Sequence, residues 1–194
     1  MGSITENYAD GYRRIAVRMY HPVFGKEKSC GFSKNKVKME RKMYRIIFVC
    51  HGNICRSPMA EFIMRDMLKK EGLSDRISVD SAATSTEEIG NPVHHGTKRI
   101  LSEMKISCAL KTAVQLTRSD YGKYDLIIGM DSANIRNILR ITGGDPEGKV
   151  HKLLQFADMD RDVADPWYTG DFETTKRDVI TGCTSLIKYL KGSI

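Results

Sequence analysis

The sequence predicts an α/β fold, a parallel sheet flanked by helices, on three observations. A short apolar, β-branched run ending at Val49 leads directly into a loop and then a helical pattern. Further short apolar runs recur down the chain. The segments between and after them carry apolar residues at helical spacing, and strands alternating with helices build a parallel sheet.

The first strand is Tyr44–Val49 (YRIIFV), apolar enough to be buried on both faces. CHGNICRSPMAE follows. Ser57, Pro58 and Glu61, ahead of Phe62, Ile63, Met67 and Leu68, mark a helix start with proline in its first turn. A second strand is expected at Ile77–Asp80, a third at Tyr124–Met130 (YDLIIGM) and a fourth at Val150–Leu154, with helices near 94–104, 132–141 and 172–191. No internal repeat is visible. Ligands of parallel sheets collect beyond the carboxyl ends of the strands, where the loop from Cys50 lies.

The chain has 194 residues, 41% hydrophobic and 28% charged, the profile of a soluble single-domain protein. No apolar run approaches the ~20 residues of a membrane span, and the first residues lack a signal-peptide pattern, so a cytoplasmic protein is expected. Cysteines 30, 50, 55, 108 and 183 are odd in number and scattered, which suits reduced thiols better than a disulfide framework or zinc knuckles. Residues 1–42 hold ten of the 31 Lys/Arg and four of the 24 Asp/Glu, leaving 21 basic against 20 acidic in the remainder. The basicity therefore belongs to the leader, and no nucleic acid partner is expected of the folded part. Residues 1–42 read as a basic, flexible extension and 43–194 as the folded domain. Met43 as the true initiator, a disordered tail and a basic arm for anionic partners are all open for that leader.

The loop carries the chemistry. A cysteine and an arginine six positions later, Cys50 and Arg56, can wrap a tetrahedral oxyanion, because the amides between them can point inward as an anion nest. The following helix adds its positive end. Arg56 supplies a fork of donors matched to two phosphoryl oxygens, which lysine would not reproduce. A cysteine thiol is mostly protonated at neutral pH, and donors of this kind favour the nucleophilic thiolate. With five Cys and fourteen Arg, chance alone supplies about 0.4 such pairs, so the spacing by itself is weak. The strand before it, the helix after it and Ser57 beside Arg56 give it force.

These residues resemble a known family. Val49-Cys50-His51-Gly52-Asn53-Ile54-Cys55-Arg56-Ser57-Pro58-Met59-Ala60-Glu61 is similar to the signature of the low-molecular-weight protein tyrosine phosphatases, and the likeness runs from about 43 to 192. VDSAATS at 79–85, IGNP at 89–92, MDSAN at 130–134 and ADPWY at 164–168 follow in the family's order. The resemblance implies a three-layer sandwich with a four-stranded parallel sheet in flavodoxin-like order. It implies hydrolysis of phosphotyrosine through a phosphocysteine on Cys50, with no metal or organic cofactor. Phosphotyrosine proteins or small aryl phosphates would be the partners, and a monomer is expected.

Phenolate departure is assisted by a proton donor, and the next step must activate water. The resemblance assigns both tasks to Asp165 of Asp165-Pro166-Trp167-Tyr168, although Asp-Pro alone is a common turn initiator. It places His51, Gly52, Asn53, Ile54, Cys55, Trp167 and Tyr168 around the substrate. Trp167 and Tyr168 would flank a phenyl ring or simply pack as loop aromatics. Ile54 stands where arginine-phosphate phosphatases carry Thr, which favours tyrosine. Asn53, Ser57 and Ser81 are implied to support the loop, with Asp131 a structural aspartate or a plain helix cap. Cys55 is implied to capture an oxidised Cys50 as a disulfide, or it is a packed thiol. Lys111 stands where the family has a network histidine, which puts the outer part of that network in question. Glu87 replaces a rim aromatic and His51 a more usual apolar residue or Thr.

Two other readings stand beside this one. An arsenate reductase of the same fold needs two further redox cysteines close together downstream, where the middle region holds Cys108 alone. A non-catalytic anion-binding or interaction module would not need nucleophile, arginine and acid together.

Overall fold

The structure, a computed structural model, describes residues 43–193, and the basic segment 1–42 lies outside them. Four parallel strands form one sheet in the order β2-β1-β3-β4. They are β1 Tyr44–Cys50, β2 Ile77–Ala83, β3 Leu126–Gly129 and β4 Val150–Lys152. The helices are α1 Arg56–Lys70, α2 His95–Glu103, α3 Ser132–Thr142, the short α4 Pro166–Thr169 and α5 Phe172–Ser193. This is the three-layer α/β sandwich in flavodoxin-like order.

Alternation along β1 builds both cores. Ile46, Phe48 and Cys50 face a cluster with Met59 and Ile63 of α1 and Val179, Cys183 and Leu186 of α5. Ile47 and Val49 face the other way, in a cluster with Ile127 of β3 and Ile138 of α3. Each of these large side chains contributes about 1.5–3 kcal/mol by leaving water. A central strand covered on both faces explains why its sequence is a continuous apolar run.

The expected elements are present with shifted ends. β2 runs to Ala83, three residues past Asp80, because Ser81 to Ala83 pair with Phe48 to Cys50. Polar Asp80 and Ser81 break the apolar run without ending the strand. β3 is shorter than Tyr124–Met130. β4 stops at Lys152 because Leu153 and Leu154 are both fully buried, which no alternating strand facing solvent on one side allows; they form a 3-10 turn, Leu153–Ala157. Gly182 of α5 admits that turn, since a Cβ there would lie 2.4 Å from Leu153 Cγ. The short α4 was not expected. Pro166 presets its first φ and Asp165 caps it.

The topology puts the loop at a switch point. β2 and β3 leave β1 on opposite sides, and Cys50 is the last residue of β1 while Arg56 is the first of α1.

Candidate active site

Residues 50–56 carry the chain from β1 into α1, and polar side chains behind them hold their curve. Asn53 adopts φ 57°, a left-handed conformation that asparagine tolerates better than most residues. The turn aims its main-chain N–H at Cys50 Sγ, 3.3 Å away. Ser57 Oγ lies 3.1 Å from the same sulfur.

The Asn53 carboxamide makes three hydrogen bonds. Nδ2 donates to Ser57 Oγ and Ser81 Oγ, both at 2.8 Å, and Oδ1 accepts from Val114 N at 3.1 Å. Ser57 Oγ accepts from Asn53, and its own hydrogen can be directed to the sulfur or to Ala82 O, 3.4 Å away. Asn53 and Ser57 are 0% exposed, so an unmet bond among them would cost about 1–3 kcal/mol.

The network that Lys111 put in question continues to Lys111 through Glu61. Ser81 Oγ donates to Glu61 Oε2 at 2.5 Å, and Glu61 is paired with Lys111 Nζ at 3.2 Å and Arg65 Nη2 at 2.8 Å. Lys111 Nζ also donates to Ser81 O at 3.0 Å. Glu61 therefore accepts the serine hydrogen and joins it to a cation, while Asn53 donates to the serine oxygen. Sequence reasoning treated Glu61 only as a helix-start signal. Its i, i+4 spacing from Ser57, which puts both on one face of α1, was the signal available.

Arg56 is buried and held by two carboxylates. Nη1 donates to Asp131 Oδ2 at 2.6 Å, and Nη2 lies 2.5 Å from Asp165 Oδ2. Burial disfavours its charge, but Cys50, Asp165 and Asp131 outweigh it and hold the guanidinium more firmly protonated than usual. Asp131 does both jobs weighed for it, since its Oδ1 caps α3 by accepting from Asn134 N at 2.6 Å. Asp165 likewise accepts from Trp167 N at 3.1 Å through Oδ1.

These groups surround a cavity of about 180 Å³. Cys50 and Arg56 form its floor. His51, Gly52, Ile54 and Cys55 stand on one side with Glu87 and Glu88, and Asp165, Trp167 and Tyr168 on the other. Trp167 is 60% and Tyr168 84% exposed, which suits surfaces offered to a flat ring more than packing. His51 Nε2 meets Glu87 Oε2 at 3.0 Å, so the two unusual rim residues form a pair. Glu88 was not anticipated in the sequence. Asn53 does not line the cavity; its side chain faces the supporting network.

Cys55 also lines the cavity. Burial, then the neighbouring Cys50 and Asp165, push its thiol up to about 12. It stays protonated at neutral pH and is no competitor as nucleophile. Cys108 opens on a different cavity, beside Glu61 and Lys111, and Cys183 is in the core.

Comparison with known proteins agrees with this arrangement. Residues 45–193 match the family model of the low molecular weight phosphotyrosine protein phosphatases. The chain is 43% identical over 151 residues to the low molecular weight protein-tyrosine-phosphatase YfkJ of Bacillus subtilis, covering 77% of this chain and 97% of that protein. It is 42% identical over 149 residues to PtpA of Staphylococcus epidermidis, covering 76% and 94%. The crystal structure of YfkJ superposes with a TM-score of 0.76 at 41% identity, over 78% of this chain and 97% of that one. The phosphatase SP-PTP of Streptococcus pyogenes gives 0.69 at 40% identity, over 76% and 93%. A buried Cys-to-Arg loop opposite an Asp-Pro-aromatic loop, on a matching fold and sequence, places this chain in the low molecular weight protein-tyrosine-phosphatase family, whose members are hydrolases.

Proposed function

We propose that the chain hydrolyses phosphotyrosine in two steps through a phosphocysteine on Cys50. The observation that carries this reading is the convergence of Cys50 Sγ, the Arg56 guanidinium and the Asp165 carboxyl on one cavity with aromatic walls. The phosphoryl group takes two guanidinium donors and the inward loop amides, which stabilise charge on its oxygens as the reaction proceeds.

In the first step the Cys50 thiolate attacks phosphorus, a bond from Sγ to phosphorus forms, and the aryl oxygen leaves with a proton from Asp165. In the second, Asp165 takes a proton from water as that water attacks phosphorus. The bond from sulfur breaks, phosphate departs and the thiolate is restored. The contact between Arg56 and Asp165 must open for this, since the guanidinium fork cannot serve carboxylate and phosphoryl oxygens in one place. Opening it leaves Asp165 to carry the proton toward the leaving oxygen.

The remaining expectations follow as part of the same proposal. Cys55 captures oxidised Cys50 as a disulfide. Residues 43–194 act as a cytoplasmic catalytic monomer, and removing residues 1–42 leaves turnover of a small substrate unchanged. The arsenate reductase reading finds no support in Cys108, which faces a separate cavity.

The test uses purified protein with p-nitrophenyl phosphate and a phosphotyrosine peptide. Turnover without added metal is expected, with none from Cys50→Ser; activity surviving that change would refute the mechanism. Asp165→Ala should slow poor leaving groups by about 10²–10⁴-fold and good ones much less.

A further inference from the structure

The stretch that carries Asp165 is tied down from two sides. Toward the sheet, Val163 N donates to Met130 O at 2.9 Å, one residue before Asp131, and Ser132 Oγ donates to Asp162 Oδ1 at 3.2 Å. Toward α5, two side chains take both main-chain groups of Ala164. Ala164 N donates to Asp178 Oδ2 at 3.0 Å, and Thr175 Oγ1 donates to Ala164 O at 2.9 Å.

Thr175 and Asp178 stand at i and i+3, on one face of α5, and both are buried. Asp178 is itself fixed by two bonds from Arg161, at 2.6 and 2.9 Å. Neither residue lines the cavity. Thr175 holds the peptide that ends in the Asp165 Cα, and Asp178 holds the Val163–Ala164 peptide just before it. The Ala164 carbonyl, the Asp165 nitrogen and that Cα lie in one rigid plane, so a carbonyl held by Thr175 fixes where the Asp165 side chain begins.

We propose that Thr175 and Asp178 are positioning residues for Asp165, acting through Ala164 to keep its carboxyl in line with the leaving oxygen. The proposal rests on Asp165 being the general acid. A carboxyl that must leave Arg56 and reach an aryl oxygen needs a fixed pivot, because misplacement by about 1 Å can cost about 10²-fold in rate. The exposed α4 beyond it cannot supply one, with Trp167 and Tyr168 facing solvent.

The test compares kcat/KM for phenyl phosphate, a poor leaving group, with that for p-nitrophenyl phosphate, a good one, in the full chain. Thr175→Val should lower the first roughly tenfold and the second less than about twofold, and Thr175→Ser should restore both. Inhibition by inorganic phosphate should stay within about twofold, since the phosphate loop is untouched. In an Asp165→Ala background Thr175→Val should add no leaving-group discrimination. Asp178→Asn should show the same selective loss, which keeps the idea testable if Thr175→Val does not fold. A selective loss in Asp165→Ala beside equal losses in Thr175→Val and Asp178→Asn would overturn the proposal alone. Equal losses in Asp165→Ala would overturn the general-acid reading and the proposal with it.

Discussion

The two walls of the pocket are built in opposite ways. The phosphate loop, from Cys50 to Ser57, is backed by buried polar side chains from α1 and β2 with the half-buried Lys111 and the Val114 main chain beyond them, and the Asn53 carboxamide makes three bonds. The facing wall, from Asp165 to Tyr168, is one turn of helix whose aromatics are exposed and whose anchorage comes from Ala164, the Asp165 cap, the Asp165–Arg56 pair and the buried Pro166. Oriented donors that stabilise developing charge work only if they do not move. On the proposed mechanism the facing wall receives a ring and releases a phenol, which it can do only if it is open. Changes to the first wall should therefore reach catalysis and stability together, and changes to the second should reach recognition and proton transfer while leaving the fold intact.

The largest effect that would sharpen this contrast is expected from Arg56→Lys. A point charge cannot bridge Asp131 and two phosphoryl oxygens, and kcat/KM should fall at least about 10³-fold in a steady-state assay. Asn53→Ala comes next. It removes three buried bonds and a residue suited to a positive φ, and urea unfolding should show a loss of about 2–4 kcal/mol together with reduced kcat. Lys111→Met leaves Glu61 with Arg65 and Ser81 as partners, and about 2 kcal/mol should be lost in the same experiment. Unchanged stability there would show that the outer network does not support the loop. Trp167→Ala should raise KM for a phosphotyrosine peptide about threefold to tenfold with kcat and unfolding nearly unchanged; a stability loss would make Trp167 a packing residue.

The smallest effect is a pH dependence. Burial works against a charge on Asp178, but Arg161 and the Ala164 N–H more than offset it, and its acidity lies below the ordinary 3.8. The unfolded chain takes up a proton near that value which the folded chain still refuses. This contribution is therefore complete above about pH 4 and is lost as pH falls through the lower folded value. Urea midpoints should drop as pH falls below about 4, and drop less in Asp178→Asn.

The same contrast explains what could be read from the sequence. The phosphate loop was legible because its parts are contiguous: Cys50, Arg56 and Ser57 fall within eight residues between a strand and a helix. Parallel order was legible from alternation, since a strand covered on both faces must be continuously apolar. Asp165 lies 109 residues past Arg56 and the two meet only through folding; the family resemblance, not local pattern, singled it out. Glu61 was hidden because a glutamate in the first turns of a helix has an adequate local explanation. Thr175 and Asp178 were hidden for a similar reason, as polar residues on an amphipathic helix read as solvent-facing until the loop they hold is in place. The end of β2 was misread because Asp80 and Ser81 are polar, yet Ser81 is buried with partners for its hydroxyl.

The central claim is a covalent intermediate on one sulfur, and rapid acid quench of the enzyme during turnover of p-nitrophenyl phosphate, followed by peptide mass analysis, tests it most directly. A phosphoryl group on the peptide containing Cys50, borne by Cys50 itself and absent in Cys50→Ser, is the predicted result. Turnover with no phosphoryl-enzyme at any quench time, or a phosphoryl group carried by another residue of the loop, would contradict it.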